Sequence, residues 1–198
     1  MPASRTSDRW RPEVDLWHPS VADAAEACSQ FVAEIAAGGR PRWLTISGPY
    51  GCGKTFLARH TFIAAAKWCK ERTADYVQPS GIYHEKTRRP MFRMLDEARF
   101  AQLLLDDRQY DLPEYLAHEW LVCFDDLGSK RDGKEVLADA LLRLANQRLD
   151  KWTLWTTNLN LQELSNRIDG RVASRLIRDA NRIVTITAGD YATRRPTK

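Results

Sequence analysis

The chain has 198 residues, 43% of them hydrophobic and 28% charged, with 30 Lys plus Arg against 26 Asp plus Glu and a formal net charge of +4. That is one ordinary domain's worth of chain, and its composition excludes a disordered segment, a collagen-like repeat and a disulfide scaffold. No apolar run is long enough to span a bilayer, and MPASRTSDRWRPEVD carries charges where a signal peptide needs an apolar stretch, so a cytoplasmic protein with no membrane partner is expected.

Residues 1–19, rich in proline and arginine, read as an extended arm, with Trp10 and Trp17 as candidates for partner contact. From Ser20 the apolar residues Val21, Ala24, Ala25, Cys28, Phe31, Val32 and Ile35 recur at helical spacing, with Ser20 placed to cap the helix and Gly38-Gly39 to end it. The run WLTIS at 43–47 predicts a strand that turns through glycines into a helix from Gly53 to about Arg72, the first half of a βαβ unit. Residues 73–90 break every periodicity and predict a loop or small hairpin. MFRML at 91–95 predicts a strand, and DEARFAQLLLDD a helix capped by Asp96. WLVCF at 120–124 is a continuous apolar run, as a strand covered on both faces would be. KEVLADALLRLANQRLD places Val136, Leu137, Ala140, Leu141 and Leu144 on one helical face, and WTLWT at 152–156 and RIVTI at 182–186 supply two more strands. Strands alternating with helices in this way predict a three-layer α/β domain with a mainly parallel sheet. Trp43, Trp120, Trp152 and Trp155 border or occupy strands, where packing is their expected use. Cys28, Cys52, Cys69 and Cys123 form no C-x-x-C pair and are expected as reduced thiols.

Gly48-Pro49-Tyr50-Gly51-Cys52-Gly53-Lys54-Thr55 fits G-x-x-x-x-G-K-[ST], and it follows an apolar strand and opens a helix. Glycines let the backbone curl its N–H groups toward phosphates, and the helix N-terminus adds positive potential at the same place. Lys54 is expected to reach the β- and γ-phosphates of ATP and the Thr55 hydroxyl to bind Mg²⁺, while Phe56 completes the nucleotide-contacting set. Cys52 occupies a variable position, as a small filler or as a redox switch. A phosphate loop also needs a carboxylate at a neighbouring strand end to hold Mg²⁺, and LVCFDD supplies Asp125 after four apolar residues. Asp126, next to it, is placed to polarise an attacking water; otherwise the two acids simply end a strand and its turn at Gly128. Because aspartate is one methylene shorter than glutamate, slow hydrolysis is expected.

The strand WTLWT runs into Thr157-Asn158. C-terminal strand ends line the ligand crevice of a parallel sheet, so Asn158 would face the γ-phosphate beside Asp126, or serve as a turn or cap residue. GRVASRLIRD at 170–179 predicts a short helix with Arg171, Arg175 and Arg178 on one face, either a solvated basic face or the source of an arginine reaching a neighbouring subunit's γ-phosphate.

With the phosphate loop, the DD strand, TTNLNLQEL and RVASRL in order, the chain over about residues 20–191 resembles the AAA+ ATPases of the DnaC/DnaI-type helicase loaders and the related IstB transposition ATPases. The resemblance implies a P-loop AAA+ core with a parallel sheet of order 5-1-4-3-2 and ATP-dependent assembly into a ring or spiral with ATP at subunit interfaces. It also implies binding of single-stranded DNA and a DnaB-type helicase or a transposase as partner. It would make Asp125 the Walker B residue, Asn158 sensor 1 and Arg175 the arginine finger, with Arg171 as the fallback. The expected division is an arm over 1–19, an ATPase domain over 20–190 and a basic tail over 191–198. The arm stands where these families carry a separate N-terminal domain, and the short stretch after Arg175 implies little or no helical lid and no sensor-2 arginine. The expected function is that of a DNA-acting ATPase, a helicase loader of phage or mobile-element type. The alternatives are an IstB-like transposition ATPase and a nucleotide-switched scaffold with little hydrolysis. A small-molecule kinase with a basic lid over 81–93 is disfavoured by the TTN strand end and the S-R-L helix. His84–Arg89 with Arg93, and the tail residues Arg194, Arg195 and Lys198, are the clearest basic pieces for contacting DNA phosphates or a partner.

Overall fold

Five strands alternate with helices in the computed structural model, which describes residues 10–72, 92–106, 112–129, 134–178 and 180–193. In chain order they are α1 (Pro19–Ala36), β1 (Trp43–Ser47), α2 (Lys54–Arg72), β2 (Phe92–Asp96), α3 (Glu97–Asp106), α4 (Leu112–Ala117) and β3 (Leu121–Leu127). Then follow α5 (Lys134–Gln147), β4 (Trp152–Thr157), α6 (Leu161–Arg167), α7 (Gly170–Leu176), β5 (Arg182–Thr185) and a 3₁₀ turn at Tyr191–Thr193. The sheet is parallel throughout, in the order β2-β3-β4-β1-β5. This is the expected 5-1-4-3-2 read from the other edge.

Every residue of β1 and β4 is buried, as a parallel sheet covered on both faces requires. Period-2 alternation divides the core. Leu44, Ile46, Leu121, Cys123 and Leu154 pack with Phe31 and Val32 of α1 and Leu57 of α2. Trp43, Val122, Phe124 and Trp155 pack on the opposite face with Phe100 of α3, Leu141 and Leu144 of α5 and Leu176 of α7. Trp43, Trp152 and Trp155 are buried, as their strand positions predicted, and all four cysteines are free and buried.

Several local expectations are corrected. The N-cap of α1 is His18, whose Nδ1 accepts the Ser20 N–H, because Pro19 lacks an N–H and fits the first helical position. Ser20 Oγ instead accepts the Thr187 N–H at 3.0 Å, tying α1 to the segment after β5. Trp10 and Trp17 pack against the core rather than standing free, and Ser29 Oγ donates to the Trp10 carbonyl. Helix α7 ends at Leu176 with Ile177 as C-cap, so Arg178 leaves the face it was expected to share with Arg171 and Arg175. Helices α4 and α6 were not predicted; the second is closed by a capping box in which Asn160 and Glu163 bond reciprocally. The expected loop at 73–90, nearly all of the 84–93 basic patch and the tail residues Arg194, Arg195 and Lys198 lie outside the described residues. Arg93 is described, and its Nη2 lies 2.9 Å from Tyr115 Oη and 3.4 Å from Glu119 Oε1. Among the described residues, no helix is long and apolar enough to cross a membrane.

Candidate nucleotide site

β1 delivers the chain to the C-terminal edge of the sheet, and the loop from Gly48 to Gly53 turns it back into α2. At Gly51 the backbone is left-handed (φ +74°), which glycine adopts without strain, and an added Cβ would displace the carboxylate of Asp190. Gly53 is also left-handed (φ +95°), but nothing lies within 4 Å of the Cβ it lacks, leaving open space at the start of α2. Lys54 is buried and its Nζ donates to the Pro49 carbonyl at 2.6 Å, so the loop holds its cation inward. Cys52 is buried as a filler would be, yet Lys54 Nζ lies 3.9 Å from its sulfur, a basic neighbour that the sequence order did not reveal.

The acid pair sits on an irregularity. Phe124 pairs with Trp155 and Leu127 with Thr157, so β3 spends one more residue than β4 between those points, and Asp126 takes φ +58°. Strict alternation would send consecutive carboxylates to opposite faces, whereas the bulge lets both work at the strand ends. Asp125 Oδ1 accepts the Thr55 hydroxyl at 3.1 Å and the hydroxyl of Thr156. Thr156 Oγ1 in turn accepts the Asp126 N–H at 2.9 Å, and Asn158 Nδ2 donates to Asp126 Oδ1 at 3.3 Å. Lys54, Thr55, Asp125, Asp126 and Asn158, chosen from separate stretches of sequence, thus meet at the adjacent ends of β1, β3 and β4. Asn158 Oδ1 is buried with no hydrogen-bond partner among the described residues.

The arginines stand apart from this set. Arg171 pairs with Asp169 at 2.8 Å, and Asp169 also accepts the Arg171 N–H as the N-cap of α7. Hydrogen bonding from the Arg171 side chain holds the Asp169 carboxyl below its ordinary range. Arg175 Nη1 donates to the Arg171 carbonyl at 2.6 Å, along its own helix. No hydrogen bond joins either arginine to the acid pair among the described residues.

Beside the phosphate loop lies a cavity of about 390 Å³. Its lining combines Gly51, Cys52, Gly53, Phe56 and Leu57 of the loop and α2 with Val14, Trp17 and Val21 from the start of the chain and Tyr191 from its end. Tyr191 is held there by its N–H, which donates to the Gly51 carbonyl at 3.0 Å, and its ring centroid is 6.3 Å from that of Trp17. The volume falls within the roughly 300–1,000 Å³ of small-molecule sites.

No protein-family model matches the chain, and no curated protein matches it. Solved structures do. The DnaC helicase loader is similar over 91% of this chain and 95% of its own, with a TM-score of 0.60 and 20% identity. DnaI is similar over 90% and 87%, with a TM-score of 0.63 and 19% identity. The replication initiator DnaA bound to AMPPCP and single-stranded DNA is similar over 82% of this chain and 46% of that one, with a TM-score of 0.58 and 20% identity. The chain has the P-loop AAA+ fold.

Within that AAA+ fold the motif residues were legible and the rest of the cavity's lining was not. Val14, Trp17 and Tyr191 belong to no phosphate-loop pattern, and they come from opposite ends of the chain. Val14 and Trp17 are among the few apolar residues of a mostly polar arm, and that pattern does not point to a cavity. The Trp17 ring, expected as a candidate for partner contact, also lines the cavity beside the loop.

Proposed function

We propose that this protein is an ATP-hydrolysing AAA+ protein that acts on DNA, as a replicative helicase loader of phage or mobile-element type. The observation that carries the proposal is the contact chain Thr55–Asp125–Thr156–Asp126–Asn158, set at the mouth of a glycine loop that holds Lys54. The oxygens of Thr55 and Asp125 form a hard donor pair that fits Mg²⁺, and the open space over Gly53 fits a phosphate. Mg²⁺ bound there would neutralise charge developing on the phosphates. Asp126 accepts a proton from the attacking water, and Asn158, bonded to the Asp126 carboxylate, helps to orient that acceptor. Lys54 moves from the Pro49 carbonyl to the β- and γ-phosphates. The cavity takes the base and ribose, with Trp17 and Tyr191 against the base.

The working arrangement in this proposal is an ATPase domain over 20–190, flanked by the arm 1–19 and the tail 191–198, assembling into a ring or spiral with ATP at its interfaces. Single-stranded DNA is the nucleic-acid partner, in keeping with a similar structure that was solved with AMPPCP and single-stranded DNA. A DnaB-type helicase is the protein partner, with a transposase the alternative for an IstB-like role. Arg175 acts on the γ-phosphate of the adjoining subunit after giving up its bond to the Arg171 carbonyl, and Arg171 is the fallback.

Three measurements test this reading. Lys54→Ala and Arg175→Ala are each expected to lose ATP turnover, and mixing them to restore part of it, since each subunit lends what the other lacks; no rescue at any ratio rejects the trans arginine. Undetectable turnover by the unaltered chain with ATP binding intact would instead support the scaffold role, for which the short Asp126 side chain is the motive. Trp17→Ala and Tyr191→Ala should each weaken ATP binding by up to about tenfold, the scale of one lost aromatic contact, with kcat at saturation little changed. Equilibrium titration with a fluorescent ATP analogue reads this directly.

A further inference from the structure

Helix α3 begins immediately after β2, and Asp96, the last residue of β2, pairs in register with Asp125. Asp96 itself caps the helix, its Oδ1 accepting the Arg99 N–H at 2.6 Å. The next residue, Glu97, therefore need not serve as the cap, and it turns inward with 1% of its surface exposed. A carboxylate in such a place is costly unless it is hydrogen-bonded, and Glu97 Oε2 accepts the N–H of Gly128.

Gly128 is the second residue after Asp126, and both are left-handed, at φ +83° and +58°. Gly128 has no room for a side chain, since an added Cβ would overlap Cδ1 of Leu159, the neighbour of Asn158. The turn closes with the Ser129 N–H donating to the Asp126 carbonyl at 3.1 Å. A non-glycine residue keeps a left-handed backbone only where its surroundings over-determine it. Here Thr156 holds the Asp126 N–H, Ser129 its carbonyl, Asn158 its carboxylate, and Glu97 the turn that follows.

We propose that Glu97 is a positioning residue for Asp126, holding the β3 turn through the Gly128 N–H so that the Asp126 carboxylate keeps its aim. This rests on the reading of Asp126 as the water-activating acid. Without the Glu97 acceptor, the Gly128 N–H is buried unpaired and Asp126 is free to relax toward an ordinary φ. A displacement of about 1 Å at a reacting group costs on the order of 100-fold in rate.

The test compares Glu97→Ala, which removes the acceptor, with Glu97→Gln, which keeps an amide oxygen at the same reach. The alanine variant should lose about 100-fold in kcat, with KM for ATP and affinity for a non-hydrolysed analogue essentially unchanged, while the glutamine variant stays within a few-fold of the unaltered chain. In an Asp126→Asn background Glu97→Ala should cost little more, because a residue acting through Asp126 has nothing left to position. Additive losses, or a loss carried in KM, overturn the proposal. If the alanine variant does not fold, Glu97→Asp, one methylene short of Gly128, is judged by the same criteria. Amide NMR separates this claim from the hydrolysis reading, since the Asp126 and Gly128 resonances should move in the alanine variant and return in the glutamine one. If the unaltered chain shows no turnover, hydrolysis is rejected, and those resonances alone decide: unchanged in Glu97→Ala, they overturn the positioning role.

Discussion

Arg148→Ala is expected to lower the stability of the folded chain by about 3–5 kcal/mol, the usual cost of breaking one partner out of a buried charged network. Arg148 follows α5 and is fully buried. Its Nε donates to Thr153 Oγ1 at 3.0 Å, Nη1 to the carbonyls of Leu116 and Glu119 at 2.7 and 2.9 Å, and Nη2 to the Trp152 carbonyl at 2.6 Å. Its own carbonyl accepts Trp43 Nε1 at 2.8 Å. One residue thus ties the end of α5 to its neighbours, its guanidinium reaching α4, the segment before β3 and the start of β4, and its backbone carbonyl reaching β1. Burial pulls its pKa down from the ordinary arginine value to about 9, with the nearby Glu119 pushing back up. Truncation leaves three carbonyls facing a void and removes one of the positive charges near the buried Glu119, leaving the Arg93 contact in place. Against a typical total of about 5–15 kcal/mol, that loss is large. Arg148→Lys keeps the charge, but a single ammonium cannot serve acceptors spread around a planar fork, so it should recover only part of the loss. Urea unfolding at constant m-value reads both variants, and a drop under about 1 kcal/mol for alanine would reject the staple role. Because these contacts lie at the opening end of β4 and the candidate site at its far end, the folded fraction of each variant should bind ATP normally.

How much of this was legible in the sequence depended on whether the signal was local. Continuous apolar runs gave β1, β3 and β4, and the glycine pattern with Lys54 and Thr55 gave the loop, because each is written in adjacent residues. The strand order followed from the resemblance rather than from periodicity. Helices α4 and α6 were missed because six and seven residues make too short a window for a 3.6 period. The length of α7 was overestimated because Ile177 and Arg178 continue the pattern of its side chains, while the backbone at Ile177 leaves the helix. Asp125, Asp126 and Asn158 were found as residue types, but the bulge that lets them cooperate was not, since a register shift between two strands has no mark in either one. Arg148 lies outside the apolar stripe of KEVLADALLRLANQRLD, and no local pattern announces its bonds to Leu116, Glu119 and Trp43, which are far from it in the chain.

The second large effect is expected at Asp126. Asp126→Asn should reduce ATP turnover by about 10²–10⁴-fold, the range for loss of a general base, while leaving ATP binding and thermal stability nearly as they were. The conformational side of this substitution is favourable. Asparagine tolerates left-handed backbone as well as aspartate does, so φ +58° is preserved, and the amide oxygen still accepts from Asn158 Nδ2. What changes is charge alone. Asp125→Asn should behave differently. It keeps an oxygen for the Thr55 and Thr156 hydroxyls but loses the charge that would hold Mg²⁺, so the metal concentration needed for half-maximal turnover should rise. A titration of turnover against Mg²⁺ distinguishes the two, and equal metal dependence in both variants would reject the separation of roles. The same backbone argument bears on why an aspartate stands here. Glutamate lacks the short side chain that makes a left-handed conformation cheap, so Asp126→Glu would have to strain the bulge or straighten it, and straightening would send neighbouring carboxylates to opposite faces of the sheet. Asp126→Glu is therefore expected to lower turnover and the melting temperature together, whereas a gain in turnover at unchanged stability would show that reach, and not backbone geometry, limits this acid.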